Sequence, residues 1–487
     1  MDRKPIVMTL LLAALPFPSL AEDDLRALVK ALSAQLSELN NQVKQSNQRI
    51  ADLEKKLREA EKDKQQAAPP PAQASIAPQS SKTSPATASG GTATATGATS
   101  KEAKPAVTVG DAKGTFKIPG TNTSLGFGGM AKLDTNYSSI SAGRDRAGDQ
   151  ILIVSQIPVS SARLGENSQT TFHAKDSRLW FKSFTPSSWG DINTFVELDF
   201  FGSSETYTYT PRVRHAYGSI GNFLGGFTWS TFLNTAAIPE TLDNDATAGS
   251  LTNMRQPLVR WTQPFNWDGK ALEFQAALEA PQSRFWADPE NGLATNVYGF
   301  STPNDERYPD LVARLNYLPE WGSLSLSGMG RQIRYAPAKT SGQQEAWGGG
   351  VSLTGRINTF GLDNVRFMLG YGDALGRYAS TNTFEDATLD ATGDLQLVNT
   401  YSAMLAYQHW WDNAWRSNLA YGFAQADQPA LTTGDLTRRA QSVLLNLLWS
   451  PVLQTTFGLE YIYATRTTVE GESGDLHRLI FSTRYNF

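Results

Sequence analysis

The sequence contains no cysteine, which removes disulfide staples, thiolate metal sites and cysteine nucleophiles together. Histidine is scarce: His173, His215, His409 and His477 are the four. None has an adjacent serine or acid at a spacing that sets up nucleophilic catalysis, so the chain does not read as an enzyme. Long apolar runs are missing beyond the N-terminus, and the mean hydropathy is -0.35. A membrane helix needs about 20 apolar residues, so a helical membrane protein is excluded. The net charge of -4 is mild and names no partner. No metal-ligand spacing and no phosphate-cradling glycine loop is present, so no cofactor is expected. Basic residues do not gather on one open face, which argues against nucleic acid.

What is present falls into four segments. Residues 1–21 read as an export signal: Arg3 and Lys4, a short apolar core from Ile6 to Leu15, and Ser19-Leu20-Ala21 as the cleavage site. Residues 22–64 carry heptads, with Val29, Leu36, Val43, Ile50 and Leu57 at a and Leu25, Leu32, Leu39, Leu53 and Ala60 at d. That spacing predicts a periplasmic coiled coil and hence an oligomer. Residues 65–113 collapse to Ala, Thr, Ser, Pro, Gly and Gln, a composition that buries no core and suits a flexible spacer. Residues 114–487 change character again.

In this last segment, stretches of about ten residues alternate apolar and polar side chains. Sixteen such stretches fall near 125–137, 172–184, 191–201, 210–221, 222–232, 255–263, 270–280, 309–317, 322–335, 345–357, 363–373, 396–409, 414–425, 438–449, 453–466 and 475–487. Their connections sort by parity. Short turns such as "TPSSWG", "PFNWDG" and "WDNA" alternate with long loops such as 138–171, 233–254, 281–308 and 374–395. A soluble sandwich has no reason to sort loops this way. An all-β transmembrane barrel of about 16 antiparallel strands in the outer membrane of a Gram-negative bacterium does. Trp189, Trp267, Trp321, Trp410, Trp411, Trp415 and Trp449 sit in or beside the short turns, as an interfacial girdle requires. The last stretch, "HRLIFSTRYNF", puts Leu479, Phe481, Tyr485 and Phe487 on one face and Arg478 and Arg484 on the other. It reads as the closing strand.

If the oily parity faces lipid, the other faces the lumen. Arginine on the lipid side at mid-membrane costs about 2–4 kcal/mol, which forces the assignment. The inward set is then Lys132, Arg178, Lys182, Arg212, Arg214, Arg260, Arg314, Arg331, Arg356, Arg366, Arg416, Arg466, Arg478 and Arg484, against Asp134, Glu197, Asp199, Glu273, Glu279 and Glu460. A basic wall concentrates anions in a narrow channel. The candidate translocation residues are Arg178, Lys182, Arg212, Arg214, Arg260, Arg314, Arg331, Arg366 and Arg416. The bland alternative is that Arg178, Arg212 or Arg260 pairs with Glu197, Asp199 or Glu273 and only staples the wall. Loop 233–254 carries Glu240, Asp243 and Asp245, a candidate constriction facing the basic wall, with a solvent-exposed acidic loop as the alternative.

The order of signal, heptads, linker and a barrel opening "GFGGMAKLDTNYSS" resembles the DcaP-like outer-membrane porins. The most specific stretches are "DSRLWFKSFTPSSWGDINTFVELDFFG" (176–202) and "RHAYGSIGNFLGGFTWSTFLN" (214–234). The resemblance implies a trimer of sixteen-stranded barrels with a periplasmic coiled coil. It also implies uptake of small anionic solutes such as dicarboxylates and aromatic acids, handled by basic lumen residues. Arg178, Lys182, Arg212 and Arg214 lie in or at the edge of the matching stretches. Two rival functions remain. One is a structural barrel of little conductance, tethered to the cell wall by coiled coil and linker. The other is a sugar or general porin, for which the inward Trp180 and Phe195 are the relevant feature. The expected partners are outer-membrane lipid, small anions and further copies of the chain.

Overall fold

The computed structural model describes residues 108–487 except 143–148, 161–166, 244–246, 252–253, 287–305, 336–343, 380–382, 390–393 and 430–435. The expected export signal, the coiled coil, most of the linker and Asp245 lie outside the described residues. Nineteen strands share one antiparallel ladder. Thr108–Val109 and Phe116–Lys117 form a hairpin paired to the foot of the first long strand. One wall strand is interrupted at residues 174–177, so its two pieces count once and sixteen strands form the wall.

The first eight wall strands are β1 (Ser124–Ser138), β2 (Gln169–His173 and Arg178–Thr185), β3 (Ile192–Asp199), β4 (Arg212–Ile220), β5 (Phe223–Trp229), β6 (Arg255–Trp267), β7 (Lys270–Glu279) and β8 (Asp310–Tyr317). The remaining eight are β9 (Gly322–Tyr335), β10 (Gln344–Asn358), β11 (Asn364–Asp373), β12 (Asn399–Trp410), β13 (Trp415–Asp427), β14 (Thr437–Val452), β15 (Thr455–Thr468) and β16 (Ser473–Asn486). They answer one for one to the sixteen alternating stretches of the sequence. β16 pairs with β1 from Arg478 opposite Ser138 to Asn486 opposite Met130. Phe487 and Gly129 then exchange backbone hydrogen bonds of 3.0 and 3.1 Å. The sheet is a closed barrel, the form in which every strand finds a partner inside hydrocarbon.

Side chains obey the expected parity. On β16, Leu479, Phe481 and Tyr485 are exposed outward while Arg478, Ile480 and Ser482 are buried inward. Each of the fourteen basic residues assigned to the lumen is buried or half-buried, and none lies on the exposed outer face. The outer face carries aromatics near the short turns, with Trp189, Trp267, Trp321, Trp411, Trp415 and Trp449 all exposed. Trp410 departs from the girdle. It shares the parity of the buried Gln408, so its ring turns inward, under the Arg416 guanidinium at 5.1 Å.

The lumen is not uniformly polar. The described parts of the connections 139–168 and 230–254 fold into it, and their Leu152, Val154, Ile157, Leu242, Ala248 and Leu251 join one apolar cluster. Their partners are the inward side chains Met368, Met404, Leu444, Leu448, Ile462, Leu476 and Ile480 of β11–β16. Burying each large side chain stabilises by about 1.5–3 kcal/mol. Ordering each loop residue costs about 1–2 kcal/mol of backbone entropy. Apolar burial alone therefore does not seat the loop 230–254, and polar anchors decide where it sits. Close approach is also built into the wall: a Cβ added at Gly422 on β13 would lie 1.6 Å from the carbonyl oxygen of Ala248. Only glycine lets the loop backbone touch the strand there.

Over the far rim, Phe285–Trp286, Ala387–Leu389 and Leu395–Leu397 form a separate three-stranded sheet from two long loops. It packs through Phe285, Ile333, Tyr335 and Ala374.

Candidate functional site

The loop 230–254 crosses the interior on a series of polar anchors. Near its start the Thr231 amide donates to Glu279 of β7 at 2.6 Å, and Asn234 caps a short turn by accepting from the Ala236 amide at 3.0 Å. Arg314 of β8 donates to the Leu233 carbonyl, and Arg366 of β11 to the Ile238 carbonyl. Glu240 then receives a two-nitrogen fork from Arg416 of β13, at 2.7 and 2.5 Å. Gln408 of β12 adds a third donor at 2.8 Å. At the end of the crossing, the Leu242 and Asp243 amides donate to Glu460 of β15 at 2.9 and 3.0 Å. Asp243 lies 3.7 Å from Arg478 of β16 and accepts from the Leu152 amide at 2.8 Å, which ties the two inserted loops together.

Glu240 and Asp243 thus meet the basic wall directly, in ion pairs, and are not an acidic loop in open solvent. Enclosure alone would raise the Glu240 carboxyl. The hydrogen bonds and charge of Arg416, with Arg484 and Arg366 behind it, hold it below its ordinary value.

The inward arginines fall into three groups. The first is neutralised in the wall. Arg212 forks onto Asp199 at 2.9 and 2.6 Å, and Arg214 bridges Glu197 and Asp199, both at 2.8 Å. Arg178 meets Asp176 at 2.9 Å and Glu197 at 3.9 Å. For Arg178 and Arg212 this is the stapling arrangement. The second group anchors loops. Arg331 is fully buried between Asp310 at 3.4 Å and Asp386 at 3.1 Å and donates to the Ala374 carbonyl at 2.9 Å, so it locks the rim loop 374–398 to the wall. Arg416 holds Glu240 in the same manner.

The third group keeps donor capacity. Arg260 Nε, Arg314 Nε, Arg356 Nε and Arg255 Nη1 are enclosed and meet no hydrogen-bond partner among the described residues, a state that Arg331 Nε and Arg484 Nε share, and Arg314 also anchors Leu233 through another nitrogen. An enclosed charged donor without a partner is costly, and an anion removes that cost. Arg260 and Arg314 border a cavity of about 310 Å³ whose other walls include Phe195, Tyr217, Trp229 and Leu233. Lys182 lies apart, its Nζ donating to the Lys113 carbonyl at 2.8 Å and sitting 5.4 Å from the Trp180 ring.

Tyr217, Trp229 and Arg255 escape the sequence reading. A β-bulge in β4 at Arg214, opposite Glu197 and Leu198 of β3, shifts the register, so Arg214 and His215 are both buried although adjacent. The shift carries Tyr217 inward, beside Phe195 at 5.8 Å. Arg255 is the first residue of β6, where parity is not yet set, and its guanidinium stacks over Trp229 at 4.4 Å. No signal in the sequence marks a bulge of this kind.

Comparison with known proteins bears on the barrel as a fold. Among solved structures, the outer membrane channel DcaP of Acinetobacter baumannii superposes with a TM-score of 0.63 at 22% identity, covering 75% of this chain and 98% of that one. The anion-selective porin from Comamonas acidovorans gives a TM-score of 0.44 at 14% identity, covering 75% and 100%. OmpF of Salmonella typhi gives 0.47 at 9%, covering 75% and 98%. No curated protein matches the chain. A model of the DcaP outer membrane protein family matches residues 112–487, the whole wall from ahead of β1 to the end of β16. The chain belongs to the DcaP outer membrane protein family.

Proposed function

We propose that this protein is a porin through which small anionic solutes, dicarboxylates and aromatic acids among them, diffuse passively along an arginine-lined lumen. The observation that carries this reading is the pair of enclosed guanidinium groups with unmet donors, Arg260 and Arg314, on an aromatic-walled cavity, with Arg255 stacked over its Trp229. A carboxylate satisfies the fork of an arginine, and Phe195, Tyr217 and Trp229 offer ring faces to an attached aromatic group. Arg178, Arg212 and Arg214 offset the carboxylates Asp176, Glu197 and Asp199 along β2–β4, Lys182 adds a charge on β2, and Arg331, Arg366 and Arg416 contribute chiefly by fixing loops. Glu240 and Asp243 hold the constriction loop against the wall, and Asp245 belongs to the same loop. Three copies per assembly, joined through the heptads of 22–64, complete the reading. The linker then carries any contact with the cell wall.

The test is the reversal potential of the purified protein in a planar bilayer under a salt gradient. Anion preference is expected. Arg260→Ala weakens it by deleting a charge, and Arg212→Ala weakens it by exposing the Asp199 carboxylate. Cation preference in the wild type sinks the proposal, and negligible conductance favours the tethered structural barrel. One observation favours a sugar channel as the second reading: Trp180, Phe195 and Tyr217 follow one another across β2–β4 with ring centroids 6.3 and 5.8 Å apart. Liposome swelling that is faster with maltose than with succinate would select it.

A further inference from the structure

A second cavity, of about 510 Å³, lies on the β10–β12 flank of the inserted loop. Its walls include Ile238, Pro239, Leu362, Trp410, Arg356 and Arg366. We propose that Arg356 and Arg366 form a second carboxylate-binding station there, separate from the cavity of Arg260 and Arg314 and taking the same class of solute. This inference rests on the anion-porin reading and adds a site to it.

Three features of this flank point to an anion. Arg356 and Arg366 are direct cross-strand partners on β10 and β11, where like charges destabilise the pair unless something negative sits between them. Glu240, at the border of the same cavity, meets only part of this need: it attracts Arg366 by charge, but its oxygens are hydrogen-bonded to Arg416 at 2.5 and 2.7 Å and to Gln408 at 2.8 Å, and not to Arg356 or Arg366. The donors also differ in availability. Arg366 is committed to Asn364 at 2.8 Å and to the Ile238 carbonyl. Arg356 keeps an enclosed, unpartnered Nε. Opposite these charges, Ile238, Pro239, Leu362 and the inward Trp410 supply an apolar wall. A carboxylate on the arginines with an apolar or aromatic body against Trp410 satisfies both faces.

Both stations also touch consecutive parts of one loop. Ser230, Leu233 and Thr235 border the first cavity, and Ile238, Pro239 and Glu240 border the second. A solute has one arginine pair on each flank of the same partition.

The experiment is single-channel current blocking by benzoate on the full-length protein. Two populations of blocking dwell times are expected in the wild type. Arg356→Gln removes one charge-assisted donor while leaving the Ile238 anchor in place, and it shortens one population about tenfold. Arg260→Gln shortens the other, and Arg356→Lys restores part of the first. A single population in the wild type, or dwell times unmoved by Arg356→Gln in a channel that still conducts, overturns the second station. Cation preference with intact, Arg356-sensitive benzoate blocking would instead overturn the porin reading and leave the station standing.

Discussion

At the scale of single residues, the seating of the inserted loop depends on a few contacts. Arg416 places two nitrogens on Glu240, and Arg416→Ala leaves that carboxylate half-enclosed without its fork. A loss of about 1.5–3 kcal/mol in loop seating is expected, read as added open-channel noise and faster proteolysis within 230–254. Because the Glu240 carboxyl is held below its ordinary value, its contribution is complete above the ordinary carboxylate value and disappears as pH falls through the depressed one. The part of the single-channel conductance that depends on Glu240 is therefore constant through neutral pH and changes only under strongly acid conditions, a step that Glu240→Gln abolishes. A step near neutrality that Glu240→Gln removes would contradict this latch. Gly422→Val tests the same loop from the wall side. The new side chain collides with the Ala248 carbonyl, so the loop must lift and the conductance must change, while Gly328→Val, whose Cβ meets open space, serves as the tolerant comparison.

At the scale of strands, the wall was legible in the sequence because lipid and lumen demand opposite residue types at every second position. Leu479 and Arg478 could not exchange places. Leu479→Arg puts a charge on the exposed outer face of β16 and should cost about 2–4 kcal/mol. The check is the urea midpoint of the folded barrel followed by heat-modifiable gel mobility, and an unchanged midpoint would mean that this face does not meet hydrocarbon. Features that break the alternation were not legible. The gap in β2 at 174–177 surrounds Asp176, paired with Lys132 of β1 at 2.8 Å, and a two-residue period carries no sign of that long-range pair. The bulge in β4 hid Tyr217 in the same way. β-structure also starts at Thr108, inside the segment whose composition suggests a spacer, because two strands of two residues leave almost no periodic trace.

At the scale of the whole molecule, the sequence named which arginines point inward but not which of them reach solute. That distinction depends on where two loops dock, and docking depends on shape across the lumen rather than on neighbours in the chain. Apolar inward residues such as Met368, Leu444 and Ile462 look misplaced on parity alone and make sense once Leu242 and Leu251 cover them. Anion preference is a property of this summed interior, so it should weaken steadily as salt rises and screening shortens the reach of the wall charges to about 3 Å at 1 M. The reversal potential measured at fixed gradient ratio but increasing absolute concentration checks this. A ratio that does not change with concentration would place selectivity in tight contact sites alone.

Two of the loop's ties have a mechanical consequence. Leu233 is fastened to Arg314 on β8, and Asp243 faces Arg478 on β16, and eight strands of sixteen is half the circumference. An empty sheet cylinder is soft toward flattening into an ellipse under lateral membrane pressure. A chain segment fixed at two opposite points of the ring acts as a cross-brace, which resists flattening along one axis and bulging along it alike.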